Sequence, residues 1–408
     1  MPGEPLHIGL FDSEWRGHHT TYASLTARYL LDSGHSVTFF TSSNHARLDD
    51  LPTHPAFDVV ELRPLSVNSD EGSYLGTVGD QWRRLDQFRR GMAVAHERDI
   101  DIVHLLTLDW FQVPTRVGTF AGIDTPPLVA TLHRDYRVTD DHESGTQVTD
   151  RAKRLLKSGF DWGNRAAMKS CLDDGTITKL VVHPPTMRDR LRSSMGVAPE
   201  RITSIPAPTP EPESDLSPRE ARRQLNLPTD TPILLFFGAL AYAKGPDVLA
   251  AALREVDVPV AAVFAGGPDY FDGDDVADWA RGTPETVEFV ARTEYVPEAD
   301  VYPYFAAADV AVLPYRRRYG TSGNLRRAGM VGTPVIGSAG TDVGGIIDAH
   351  GIGVTFERGD PTALAITIES VLGGKESVTN EALNTYAETV HWQSVGERYE
   401  TLYRNLFG

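Results

Sequence analysis

The sequence predicts an α/β protein built from two Rossmann-like halves. Three observations carry that expectation. Strand-like apolar runs alternate with stretches long enough for helices, the rhythm breaks once at a proline-rich acidic segment, and it then restarts. With 408 residues and 41% hydrophobic content, the chain has enough material for about two domains with large cores.

In the first half the runs are Leu6–Phe11, Ser36–Thr41, Val59–Leu62, Ile102–Leu106, Leu128–Leu132 and Lys179–His183. Runs buried on both faces, with helices between them, imply a parallel sheet covered on both sides. The break reads "SIPAPTPEPESDLSPREARR", with Pro206, Pro208, Pro210 and Pro212 in an acidic, helix-breaking stretch. Ser217, Pro218 and Glu220 then supply an N-cap, a first-turn proline and a capping-box carboxylate, so a helix starts there. The second half offers Ile233–Phe237, Val258–Phe264, Val287–Val290, Val310–Leu313, Pro334–Ile336 and Gly353–Phe356 as strands.

Charge and cysteine content narrow the function. The formal net charge is -17 and lysine occurs only at Lys153, Lys157, Lys169, Lys179, Lys244 and Lys375. Such a surface suits a high-salt cytoplasm, although excess negative charge also simply keeps a protein soluble. It speaks against nucleic acid as a partner, which needs a broad basic footprint. Cys171 is the single cysteine, which excludes an internal disulfide and a cysteine-rich metal site. Met1 to Pro5 run straight into the first strand without signal-peptide features, and no apolar stretch approaches the ~20 residues of a spanning helix. A cytoplasmic address is expected.

Ligands of open α/β sheets sit beyond the carboxyl ends of strands, near helix N-termini that attract anions. The residues just after strands are therefore the candidates. "DSEWRGHHTTY" offers Gly17 for close backbone approach and His18 and His19 as hydrogen-bond donors, or as ordinary surface histidines. His133 follows a strand and reads equally as a structural histidine. Lys244, in "FFGALAYAKG", is a lysine kept at a helix start in a lysine-poor chain, which favours a point charge for phosphate. Gly266 and Gly267 in "VFAGG" read as turn chemistry or as a ligand loop. "YRRRYGTSGNLRRAG" places Gly320, Thr321, Ser322 and Gly323 at the start of a helix carrying Arg326 and Arg327.

Taken together, "FFGALAYAKGPDVLAAAL", "VFAGG", "VYPYFAAADVAVLPY", "SGNLRRAGMVGTPVIGSAGTDVGGIIDAHGIGV" and "HWQSVGERYETLYRNL" resemble the retaining family-4 glycosyltransferases of the GT-B fold. "GHHTTYASLTARYLLDSGHSVTFFTS", "LVATLHRDY" and "LVVHPPTMRDRL" agree more loosely. The resemblance implies two Rossmann-like domains facing a cleft: residues 1–207 for the acceptor, 208–388 for a nucleotide-sugar donor, and a 389–408 helix packing back on the first domain. It also implies retention of configuration; cations and oriented amides can stabilise the leaving phosphate without a metal, so no metal or cofactor is expected and the nucleotide sugar is a co-substrate. A glycan, lipid-linked or small-molecule acceptor is expected.

By the same resemblance, Lys244 contacts the donor diphosphate, the amides of Ser322, Gly323, Asn324 and Leu325 meet its phosphates, and His133 lies over the donor sugar as the catalytic histidine. Gly17, Gly266, Tyr295, Arg318, Thr321 and Arg327 complete the expected donor side, and His18, His19 and Asp135 the acceptor side. The family's two glutamates fall at Tyr319 and Arg327 here, and its arginine partner of the lysine falls at Ala239 or Ala241. One branch of the family, with "LPY", a Ser-Gly loop and "PVI", lacks the glutamate pair, and this chain resembles it. Arg316, Arg317, Arg318 or Arg327 are then candidates to replace the missing charge, the alternative being solvated surface arginines with Arg326 turned to solvent. The other function classes are a nucleotide-sugar epimerase or hydrolase on the same scaffold, and a non-catalytic binding relative.

"QWRRLDQFRRGMAVAHER" holds Arg83, Arg84, Arg89 and Arg90 beside Trp82 and Phe88. It reads as a sheet-covering helix or as a basic amphipathic face making weak peripheral contact with the inner face of a membrane.

Overall fold

The computed structural model describes residues 4–12, 18–42, 51–63, 74–133, 148–318 and 320–407, and, within its helices, leaves out the side chains of residues 18, 19, 74–78 and 148–158. The chain forms two compact units, Met1–Pro208 with Trp392–Gly408, and Thr209–His391.

The first unit carries β1 (His7–Phe11), β2 (Ser36–Ser42), β3 (Phe57–Leu62), β4 (Ile102–Leu105), β5 (Leu128–Leu132), β6 (Ile177–Val182) and β7 (Ile202–Ser204). All pair in parallel in the order β3-β2-β1-β4-β5-β6-β7. The second carries β8 (Ile233–Phe237), β9 (Val260–Ala265), β10 (Val287–Arg292), β11 (Val310–Leu313), β12 (Val335–Ser338) and β13 (Gly353–Phe356), in the order β10-β9-β8-β11-β12-β13. Each sheet has a core on both faces, which is why β4, β5, β8 and β9 are buried at every position. The three-residue β7 is too short to show periodicity in the sequence. β9 starts two residues later than expected because Pro259 has no amide to give to a ladder.

Strand order reverses at β1/β4 and again at β8/β11. These are the switch points at which loops part and leave a crevice beyond the strand ends.

The last helix, Trp392–Arg404, belongs to the first unit. It packs on helix His18–Asp32 so closely that a Cβ on Gly396 would collide with the Tyr29 ring. Val395, Tyr399 and Tyr403 enter the core on that side of the sheet, all 0% exposed. Gly396→Val is expected to cost about 1–3 kcal/mol by overpacking, read as a lower melting temperature; an unchanged temperature would contradict this packing.

The capping box closes as its residues require. Ser217 Oγ takes the Glu220 amide and Glu220 Oε2 takes the Ser217 amide, at 3.4 and 3.0 Å.

Candidate active site

In the second unit the site is built at the β8/β11 reversal. After β8 the chain turns at Gly238, whose φ of +106° disfavours any side chain. A Cβ there would also collide with Lys244 Nζ and would stand 3.6 Å from Asn324 Nδ2. The Lys244 side chain therefore folds back over the strand end. Its ammonium makes no hydrogen bond or ion pair among the described residues. Burial pulls it below the ordinary lysine value, Asp269 opposes that through space, and Arg327 adds to it. A partly buried cation without a contact partner is stabilised by an arriving anion.

The other wall is the start of helix Gly323–Met330. Asn324 Nδ2 donates to the Phe237 carbonyl at 2.6 Å, which ties the helix start to the end of β8. Ser322 Oγ accepts the Leu325 amide at 3.3 Å and sits 3.1 Å from Tyr315 Oη. The cap therefore takes the Leu325 amide out of the four-residue amide loop expected from sequence. The amides of Gly323 and Asn324 remain, since first-turn N–H groups have no acceptor within the helix. Gly323 needs to be glycine for neither packing nor backbone: its φ is not positive, and among the described residues a Cβ would meet only Arg327 Nη1, at 3.9 Å.

The arginines divide. Arg316 donates to both Asp247 oxygens at 2.6 Å and to the Tyr242 carbonyl at 3.0 Å, with its Cζ 4.2 Å from the Tyr242 ring centroid. Its guanidinium is committed to the fold, which removes it as a source of replacement charge. Arg326 does not turn to solvent either. Its Nε donates to Thr209 Oγ1 at 3.2 Å, and burial depresses its pKa. Arg327 stays beside the cluster, paired with Glu298 at 2.5 Å. Arg317 and Arg318 are exposed, and the Arg318 carbonyl accepts the Asp342 amide at 2.7 Å. Thr321 is half-buried just before the cap.

Gly266 has a structural explanation: a Cβ would collide with the Gly238 carbonyl where β8 and β9 end. Tyr295 is 74% exposed, with its amide nitrogen 3.8 Å from where a Gly267 Cβ would stand. Gly17, Asp135 and Tyr319 lie outside the described residues, as do the side chains of His18 and His19.

In the first unit His133 follows β5. Its amide donates to Asp109 Oδ2 at 2.9 Å, Nε2 donates to the Leu106 carbonyl at 2.8 Å, and Nδ1 lies 3.2 Å from His183 Nε2. His183 Nδ1 donates to the Ile205 carbonyl at 2.9 Å. The Tyr22 ring meets both imidazoles edge-on. Behind them, Tyr22 Oη is 2.5 Å from Tyr399 Oη and 3.3 Å from Thr131 Oγ1. His104 bonds to Thr131 Oγ1 at 2.8 Å and to Tyr403 Oη at 2.6 Å. Burial, then His133, pushes His104 down to about 3. Burial also raises the three phenols, Tyr399 to about 12. Only His133 of this network is a candidate by sequence. The rest shows in the sequence as polar residues inside buried strands, His104 in "IVHLL" and Thr131 in "LVATL".

The helix Tyr74–Glu97 buries Phe88 completely and lays Arg84 over Trp110, 5.1 Å from the ring centroid. Arg83 pairs with Asp80, and Arg89 and Arg90 with Asp86. Two carboxylates thus pair with three of the four arginines, beside an exposed Trp82. No helix among the described residues is long and apolar enough to cross a membrane.

Two parallel sheets with matching strand-order reversals, one bearing a cationic, amide-lined cluster, define a two-domain α/β protein of the GT-B type. The family described as glycosyl transferase 4-like domain matches residues 19–208, and glycosyl transferases group 1 matches 231–373. The D-inositol 3-phosphate glycosyltransferase 1 of Catenulispora acidiphila is 27% identical over 95% of this chain and 91% of its own. A D-inositol 3-phosphate glycosyltransferase of Corynebacterium aurimucosum is 25% identical over 95% and 90%. Among solved structures, a sucrose-phosphate synthase from Thermosynechococcus elongatus superposes with a TM-score of 0.71 at 21% identity, covering 98% of this chain and 99% of that one. Anabaena HepE in complex with UDP and glucose gives 0.66 at 16%, covering 98% and 100%. The chain belongs to the family-4 type glycosyltransferases and is a glycosyltransferase enzyme.

Proposed function

We propose that the second unit holds a nucleoside-diphosphate sugar by its diphosphate, at Lys244 and the amides of Gly323 and Asn324, with Arg327 alongside. The observation that carries this is the Lys244 ammonium, folded over Gly238 with no hydrogen bond or ion pair among the described residues, beside two first-turn amides that have no acceptor within their helix. As the bond from the sugar's anomeric carbon to phosphate oxygen breaks, its electron pair goes to the phosphate, and these groups stabilise the charge that appears there. The phosphate oxygen takes the proton of the acceptor hydroxyl, whose oxygen bonds to the same face of the sugar. Configuration is retained, and no side-chain base is required. With the protein's own cations supplying the positive potential, a chelator leaves activity unchanged.

The acceptor is a hydroxyl compound received by the first unit. The names of the curated relatives make D-inositol 3-phosphate the first acceptor to try, ahead of glycan and lipid-linked acceptors. The test is a panel of nucleotide sugars with and without these acceptors, read by product mass and anomeric coupling. Retained glycoside formed only with acceptor is expected. Hydrolysis or epimerisation that ignores the acceptor would overturn the reading.

Arg327→Glu tests the replaced charge. The Arg327–Glu298 pair is partly exposed and is worth at most about 1 kcal/mol to the fold, so the variant should stay folded. Calorimetry should show weaker binding of a nucleoside diphosphate than of the nucleoside alone relative to the parent, the difference shrinking with salt. Undiminished diphosphate binding would make Arg327 an ordinary surface residue.

A further inference from the structure

We propose that His133 and His183 share one extra proton, so that the pair is a single fixed cation at the carboxyl ends of β5 and β6, and His183 is a positioning residue for His133. The argument is a proton count. Three hydrogen-bond-distance contacts of these rings lie among the described residues: His133 Nε2 to the Leu106 carbonyl, His183 Nδ1 to the Ile205 carbonyl, and His133 Nδ1 to His183 Nε2. Carbonyl oxygens only accept, so each of the first two contacts needs a proton on nitrogen. Two neutral imidazoles have then used both of their protons, and the facing nitrogens would present lone pair to lone pair at 3.2 Å. One more proton turns that contact into a hydrogen bond and completes all three.

The surroundings fit a pair with one positive charge. From β4, His104 faces His133 but is held neutral by burial, so it does not compete for the proton. From the turn Leu108–Trp110, the Asp109 carboxylate takes the His133 amide and supplies a nearby negative charge. From helix His18–Asp32, Tyr22 lays its ring edge against both imidazoles, and burial keeps its phenol protonated. At the end of β1, Asp12 takes the Thr107 hydroxyl at 3.2 Å. His183 is 4% exposed.

Such a pair titrates in two macroscopic steps on either side of the ordinary histidine value of about 6.5. The shared proton is kept above that value, and the second enters only below it. The positive charge is lost as pH rises through the upper step, and with it the bond that fixes the His133 ring. In the glycosyltransferase reading, on which the functional half of this proposal rests, turnover then falls on the alkaline side.

The test is ring-nitrogen NMR of the full chain labelled in histidine, from about pH 5 to about pH 9, with His133→Gln and His183→Gln identifying the signals. Near pH 8 the parent should show three protected ring N–H protons over these two rings. His183→Gln, which can hydrogen-bond but holds no charge, should return His133 to one ordinary titration. Two neutral rings near pH 8, titrating separately at the ordinary value, would overturn the proposal. The parent spectra decide this even if a variant fails to fold, and whether or not any sugar is transferred. In activity, the alkaline limb of kcat/KM should move to lower pH by about one unit or more in His183→Gln. A lower rate with an unmoved limb would reduce His183 to packing.

Discussion

Deleting residues 392–408 is expected to unfold the first unit. The deletion removes Val395, Tyr399 and Tyr403, all completely buried, from one of that unit's two cores. At about 1.5–3 kcal/mol per large buried side chain, the loss is about 5–9 kcal/mol, comparable with the whole stability of a typical domain. The hydroxyls compound it. His104 loses Tyr403, and Tyr22 loses Tyr399, leaving buried polar groups unsatisfied. Thermal melting should show the first unit's transition lost while residues 209–391 still melt cooperatively. A truncated chain with the parent's melting curve would contradict the packing described.

Gly323→Val is expected to abolish binding of a nucleoside diphosphate with little change in melting temperature. The combination follows from the emptiness around Gly323. Among the described residues its Cβ position touches only Arg327 Nη1, at ordinary contact distance, so the fold accommodates the side chain. A phosphate reaching the Gly323 and Asn324 amides has to occupy that same space. Gly323→Ala should fall between parent and Val. Parent-like affinity in the Val variant would place the phosphates elsewhere, whereas a large fall in melting temperature would mean that the glycine serves the fold.

The strands were legible because those buried on both faces are written as unbroken apolar runs, and the breaks between them carry glycine, proline and capping residues. Lys244 was legible through scarcity, as a lysine retained in a chain that avoids the residue. Its environment was not, because Gly238, Lys244 and Asn324 meet only when two loops from non-consecutive strands close at the reversal. Arg316 and Arg327 look alike in sequence, and only the fold assigns Asp247 to one and Glu298 to the other. The His133–His183 contact spans 50 residues, and the Tyr22–Tyr399 bond spans 377. Neither distance leaves a periodic trace. The last helix announced itself by its aromatic residues, but not by the hydroxyl chain that ends beside His133.

The most direct test of the central claim is titration calorimetry of a nucleoside diphosphate and of the matching nucleoside, against the parent and Lys244→Ala. If the Lys244 ammonium is the diphosphate contact, the variant should lose about 1.5–3 kcal/mol toward the diphosphate, the range for charge-assisted hydrogen bonds, and nothing toward the nucleoside. Because burial lowers the Lys244 pKa, the parent's diphosphate affinity should also begin to fall at a pH below that of an ordinary lysine, as the ammonium loses its proton. Equal diphosphate affinity in parent and variant would contradict the account.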